Sequence, residues 1–238
     1  MKIVVMTDVH ANLPALKAAF NAIKAGGYDV IFHTGDAIAI GPHPAECLDF
    51  LIHIPKIQFV RGNHETYFIN GLSTPQPACM SDGEVQHYHW THSHLDSQLK
   101  HVLAKWPYVL EHEFQGVKTT FVHYALAPSG RDFMPLVNPL TAVNLDRSFG
   151  GHDSELIFYG HDHRKSDVAG EARYVNPGSL GCYSKAVARY CVVEFHQGKY
   201  KVKHHSVPYD DAELFKAFER RMVPDREFIY REFFGGRF

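Results

Sequence analysis

The sequence has no apolar run long enough to cross a membrane. Met1 and Lys2 lead straight into a strand, so a signal peptide is not expected either. Cysteine is scarce. The four present, Cys47, Cys79, Cys182 and Cys191, have spacings that match no zinc or redox motif, so free thiols in a reducing cytoplasm are expected. A strong basic run is also missing, and the formal net charge is −2. Tight binding of long nucleic acid needs a positive footprint, so that class of partner is excluded along with membranes. The 238 residues suit one large α/β domain spanning the whole chain, 1–238.

What is present begins with an apolar, β-branched run at 1–6, a buried strand that stops at Thr7-Asp8-Val9-His10. Asn12 then caps a helix whose first turn tolerates Pro14. Leu16, Ala19, Phe20 and Ile23 recur at helical spacing before Gly26-Gly27 end it. A strand at 30–33 follows, giving a βαβ unit with a right-handed crossover, and ends at Gly35-Asp36. A helix at 45–53 and a strand at 57–60 come next, the strand ending in Arg61-Gly62-Asn63-His64-Glu65. Residues 66–106 differ in texture and read as a cap inserted into the domain. Gly71, Pro75, Pro77 and Gly83 mark its loops, and 90–103 reads as one helix. Further strands at 117–122 and 156–159 end at His123 and at Gly160-His161-Asp162-His163. A short strand at 174–175 runs into Asn176-Pro177-Gly178-Ser179. Strands 190–195 and 200–207 flank Gln197-Gly198 as a hairpin. A C-terminal helix and tail occupy 208–238, with Leu214, Phe215 and Phe218 on one helix face. The Phe-rich end at 228–238 shows no clear period and is expected to pack on the body or form a homo-oligomer.

Strand after strand thus ends in a hard donor: Asp8 and His10, Asp36, Asn63 and His64, His123, His161 and His163. The carboxyl edge of an α/β sheet is where ligands sit. A lone Asp there caps a turn and a lone His is usually a satisfied core group, but five such ends are not independent accidents. Carboxylate, amide and imidazole donors without thiolate suit manganese, iron or zinc better than a Cys-type structural zinc site. With one carboxylate shared, the set would serve a pair of ions.

Asp8-x-His10, Gly35-Asp36, Gly62-Asn63-His64-Glu65, His123 and Gly160-His161-Asp162-His163, in that order, resemble the calcineurin-like metallophosphoesterase superfamily. Asp8-Val9-His10-Ala11-Asn12-Leu13, Gly41-Pro42, Trp90-Thr91, Trp106-Pro107 and Asn176-Pro177-Gly178-Ser179 are similar to its small prokaryotic phosphoesterase and phosphodiesterase branch. The resemblance implies a four-layer α/β/β/α sandwich of two mixed sheets flanked by helices. It implies Asp8, His10, Asp36 and His163 on one ion and Asp36, Asn63, His123 and His161 on a second, with Asp36 bridging. It also implies two divalent ions, manganese first, with iron, zinc or nickel as alternatives.

The activity implied is hydrolysis of small phosphodiesters or phosphomonoesters by a metal-bridging hydroxide. His64, beside Asn63, is assigned as general acid. Asn12, Arg61 and Arg164 are candidate phosphate contacts, although N-capping explains Asn12 equally well and solvated surface positions explain the arginines. His33 reads as structural. Asp36 is followed by Ala37-Ile38-Ala39, with none of the Asp-Arg-Gly triplet of protein Ser/Thr phosphatases, which argues against that activity. Tyr124-Ala125-Leu126 replaces the relatives' Gly-Ser-Pro after His123, so the wall at 124–140 is unfamiliar. The alternative activity is dinucleoside polyphosphate or other pyrophosphate hydrolysis, and the alternative class is a scaffold without catalysis. His87, His89, His92 and His94 read as a polar cap face, or else as a lining of the substrate cleft.

Overall fold

Strand β1 (Lys2–Met6) sets the frame, because its alternate residues feed two different cores. Ile3 and Val5 face one cluster and Val4 and Met6 the other, and all four are buried. The computed structural model describes residues 1–72 and 80–237. Pro75, Pro77 and Cys79 lie outside the described residues.

Helix α1 (Leu13–Gly26) carries the chain back to β2 (Val30–His33), which pairs parallel with β1. The Asn12 side chain accepts the Ala15 N–H and starts α1, and Gly27 ends it at φ 69°. Helix α2 (Pro44–Ile52) makes the next crossover, to β3 (Ile57–Phe59), parallel to β2. The chain then forms α3 (Asn63–Asn70), α4 (Asp82–Ser93) and α5 (Leu99–Leu103).

The cap departs from expectation in two ways. Gly83 lies inside α4 rather than in a loop, because Ser81 and Glu84 form a reciprocal capping box that spans it. Residues 90–103 are two helical pieces rather than one. α4 closes at His94, and Asp96 accepts the Gln98 and Leu99 N–H groups to start α5. Leu95 and Leu99 therefore share an apolar face without sharing a helix.

The second half supplies β4 (Val109–Phe114), β5 (Val117–Val122), α6 (Ala142–Phe149), β6 (Leu156–Phe158), β7 (Ser166–Ala169) and β8 (Arg173–Asn176). Then come the hairpin β9 (Val187–His196) and β10 (Lys199–Pro208), and helices α7 (Ala212–Arg220) and α8 (Arg226–Phe234). β4, β7 and α6 have no counterpart in the sequence reading.

Two mixed five-stranded sheets result, with orders β10-β9-β1-β2-β3 and β4-β5-β6-β8-β7. Between them lies one apolar core, where Phe32 stacks on Phe121 at 3.8 Å. α1 and α2 cover the outer face of the first sheet, and α6 that of the second. This is the expected helix–sheet–sheet–helix order. The Phe-rich tail is helical and folds back on its own chain. Ile229, Tyr230 and Phe234 pack with Leu214 and Phe218 of α7 and with Ile40. No helix is long and apolar enough to cross a membrane among the described residues.

Candidate metal centre

Five strands, β1, β2 and β3 of one sheet and β5 and β6 of the other, end at one place. The loop after β1 brings Asp8 and His10, that after β2 Asp36, and the start of α3 Asn63 and His64. His123 follows β5, and His161 and His163 follow β6. His10 Nε2 stands 2.8 Å from His163 Nε2 and 3.7 Å from Asp8 Oδ1. His123 Nε2 lies 3.0 Å from Asn63 Oδ1 and 3.2 Å from His161 Nδ1. Asp36 Oδ2 lies between the two groups, 3.9 Å from His10 Nε2 and 3.2 Å from His123 Nε2. His10, Asp36 and His64 offer donor atoms within 4.8 Å of one another, as do Asp36, His123 and His161. So many nitrogen and oxygen lone pairs aimed at one small volume fit divalent cations.

The backbone is bent to achieve this. Asp8 (φ 52°), His10 (46°), Asp36 (59°), His161 (70°) and His163 (58°) all adopt left-handed conformations. For residues other than glycine such conformations cost on the order of 1–3 kcal/mol each and persist only where the surroundings impose them. Those surroundings are visible. The buried Glu65 carboxylate accepts the N–H groups of Asp36 (2.9 Å), Ala37 (2.8 Å) and Gly62 (2.8 Å), clamping two of the turns together. Ser179 Oγ donates to the Asp8 carbonyl at 2.7 Å. Arg189, buried on β9, donates to the carbonyls of His163, Ser179 and Cys182. Neither Glu65 nor Arg189 was assigned a role from sequence. Arg189 does leave a trace there, as a charge within an apolar strand.

Burial opposes charge at each titratable group here; the neighbours overcome it at Asp36 and His123, while burial prevails at Asp8, His10, His64, His161 and His163. Burial would raise Asp36, but His123, His64 and His10 hold its carboxyl well below the usual range. His123 is likewise opposed by burial, yet Asp36 lifts it to about 9. Asp8 is pushed up to about 8 by burial, with the Asp36 charge adding to the effect. Burial pushes His161 and His163 down to about 3, which keeps their rings neutral, as metal ligation requires.

The other expected site residues sit as follows. The Asn12 amide is fully engaged, donating to the Gly181 carbonyl (2.7 Å) and to Tyr209 Oη (2.9 Å) besides capping α1. Arg61 donates to the Ala104 carbonyl and lies over the Tyr108 ring, 4.8 Å from its centroid. Arg164 grips Asp162 at 3.0 Å and the Val137 carbonyl at 2.8 Å. All three side chains thus have partners within the protein. Buried His33 accepts the Gly35 N–H, in keeping with a structural part. His87 is buried and His92 half-buried against the cavity beside His64, while His89 and His94 are exposed.

One correction concerns sulfur. The turn after Ser179 brings Cys182 Sγ within 4.8 Å of ring nitrogens of His10 and His163, so a thiol does border the donor set. Burial pushes that thiol up, and a neutral thiol is a poor ligand. Cys47, Cys182 and Cys191 are all free.

Two packed mixed sheets with buried nitrogen and oxygen donors at their carboxyl edges define an α/β metal-binding hydrolase architecture. Residues 1–198 match the calcineurin-like phosphoesterase superfamily domain, and the chain belongs to that family. It is a hydrolase acting on phosphoester bonds. An uncharacterized protein of Methanocaldococcus jannaschii is 27% identical, with 99% of this chain and 98% of its own covered. The crystal structure of a metallophosphoesterase from Sphaerobacter thermophilus superposes with a TM-score of 0.73 at 25% identity, over 97% of this chain and 98% of that one. A hypothetical protein from Pyrococcus horikoshii OT3 has the same fold, with a TM-score of 0.82 at 19% identity over 100% and 99% of the two chains.

Proposed function

We propose that the protein hydrolyses small phosphodiesters or phosphomonoesters with a pair of divalent ions, manganese foremost. The observation that carries this reading is the single Asp36 oxygen lying between two donor groups, 3.9 Å from His10 and 3.2 Å from His123. Asp8, His10, Asp36 and His163 would hold one ion, and Asp36, Asn63, His123 and His161 the other. When bound, such a pair supplies hydroxide near neutral pH and offsets charge on the phosphoryl oxygens.

The remaining work falls to the chain. Glu65 fixes the Asp36 and Gly62 turns, so the shared carboxylate keeps its direction as substrate arrives. The Asp36 carboxylate also accepts the His64 backbone N–H at 3.1 Å, which places the His64 ring. That ring is 28% exposed, whereas the His10 and His123 rings are at most 1% exposed. His163 is nearly as exposed, at 21%, but is assigned to an ion, which leaves His64 as the imidazole able to meet a leaving oxygen and give it a proton. Such catalysis is worth about 10²–10⁴-fold.

The test is initial rates on the metal-stripped protein with manganese, zinc or magnesium restored. Bis-p-nitrophenyl phosphate, p-nitrophenyl phosphate and a diadenosine polyphosphate would be compared, with Asp36→Asn as control. Metal-dependent turnover of the diester, lost in Asp36→Asn, is expected. Preference for the anhydride would overturn the ester reading in favour of pyrophosphate hydrolysis. His64→Gln should lower kcat by about 10²-fold or more while bound manganese per chain stays unchanged. Loss of manganese in that variant would make His64 a ligand instead.

A further inference from the structure

A cavity of about 120 Å³ opens beside the donor set, lined by residues 38–40, α3, α4 and α8. One lining residue, His64, belongs to the centre, and another, Phe233, lies beside it. His64 Nε2 is 3.9 Å from Asp36 Oδ2, and the Phe233 ring is 5.7 Å from that of His163. The residue placed to protonate a leaving oxygen thus stands at the mouth of this cavity. With His64 as the proton donor, a substrate half seated in this cavity would be the one that departs.

The lining states what that half is. Tyr67, Tyr88, Phe228, Phe233 and His92 line it, the Tyr88 and His92 rings lying 3.7 Å apart. Aromatic side chains of this kind stack flat bases and tolerate any of them. Two carboxylates, Glu84 and Asp225, complete the wall. The Asp225 carboxylate reaches in because residue 83 is glycine; a Cβ there would meet Asp225 Oδ2 at 2.5 Å. No lysine or arginine lines the cavity among the described residues. The site therefore repels a second phosphate and offers acceptors to N–H donors.

Building on the phosphohydrolase reading, we propose that this cavity binds the leaving alcohol of the substrate and that this alcohol is a nucleoside. The base lies among the rings of α4 and α8, its amino group toward Glu84 and Asp225. This selects nucleotide esters over sugar or alkyl esters, and over dinucleoside polyphosphates.

The experiment is calorimetric titration of the manganese-loaded protein with adenosine, and with ribose as the base-free control. Wild type should bind adenosine at least about tenfold tighter than ribose, since base stacking alone accounts for that ratio. Phe228→Ala should weaken adenosine about tenfold. Asp225→Asn, which suits the left-handed backbone at φ 59° and keeps the shape of the wall, should weaken it at least about fivefold. The second variant keeps the test decisive should the first fail to fold. Equal affinity for adenosine and ribose, or equal adenosine affinity in wild type and both variants, overturns the assignment. Hydrolysis rates on the loaded enzyme report separately. Adenosine binding without turnover of any ester overturns the leaving-group role, and turnover without adenosine binding overturns the cavity assignment alone.

Discussion

Gly62 shows how little room the centre leaves. A Cβ there would sit 2.1 Å from Asp36 Oδ1 and 2.6 Å from the Asp36 nitrogen. Gly62→Ala must therefore push the shared carboxylate aside or shift the start of α3. Overpacking of this kind costs about 1–3 kcal/mol. We expect a lower denaturation midpoint together with loss of bound metal after dialysis, and full metal content at an unchanged midpoint would contradict the geometry. His87 supports a pH prediction. Its Nε2 accepts the Ile40 N–H at 2.7 Å, and burial pushes its pKa down from 6.5 to about 4. Between those values the unfolded chain binds the extra proton and the folded chain does not. The contribution is therefore complete above about pH 6.5 and is lost as pH falls toward 4, amounting to about 3 kcal/mol at most. His87→Gln keeps an acceptor for Ile40 without titrating. The drop in urea midpoint from pH 7 to pH 5 should be smaller in that variant, and an equal drop would rule His87 out as the source.

At the scale of elements, α7 and α8 form a pair whose apolar faces meet over the Ile40 loop. Phe234 is fully buried there. Phe234→Ala should cost about 3–5 kcal/mol, read as a fall in Tm. An unchanged Tm would mean that the tail does not pack as described. The tail also shows why parts of the chain were hard to read. Phe228, Tyr230, Phe233 and Phe234 have no clean period because the helix buries Ile229, Tyr230 and Phe234 against α7 while Phe228 and Phe233 turn to the cavity. β1, β2 and β5 were legible because both their faces are buried and each ends at a conspicuous donor. β4 was not, since its Glu111, His112 and Glu113 give no apolar run. The donors could be read because their residue types are unusual at strand ends. The tasks of Glu65 and Arg189 could not, because each holds backbone carbonyls or N–H groups from distant loops, and neither a charge in an apolar strand nor a place in a motif says which loops those are.

For the whole molecule, the divided donor set makes cation binding a property of the fold rather than of any segment. Asp8, Asp36 and Asn63 extend from one sheet, and His123, His161 and His163 from the other. An ion held by such a set binds only the folded chain and stabilises it by mass action, by about 2.7 kcal/mol at a hundredfold excess over Kd. Manganese added to the stripped protein should therefore raise Tm. Asp36→Asn should abolish most of that shift, and a shift of equal size in the variant would place the ions elsewhere. The same division has a mechanical meaning. The sheets touch through apolar side chains such as Phe32 and Phe121, and so close-packed a core passes a change of side-chain volume on as a sliding of the sheets by fractions of an ångström. Donor distances cannot tolerate such sliding. The centre thus acts as a strain gauge across the sandwich, so that a substitution deep between the sheets, far from any substrate, would register first as altered metal occupancy and only later as unfolding.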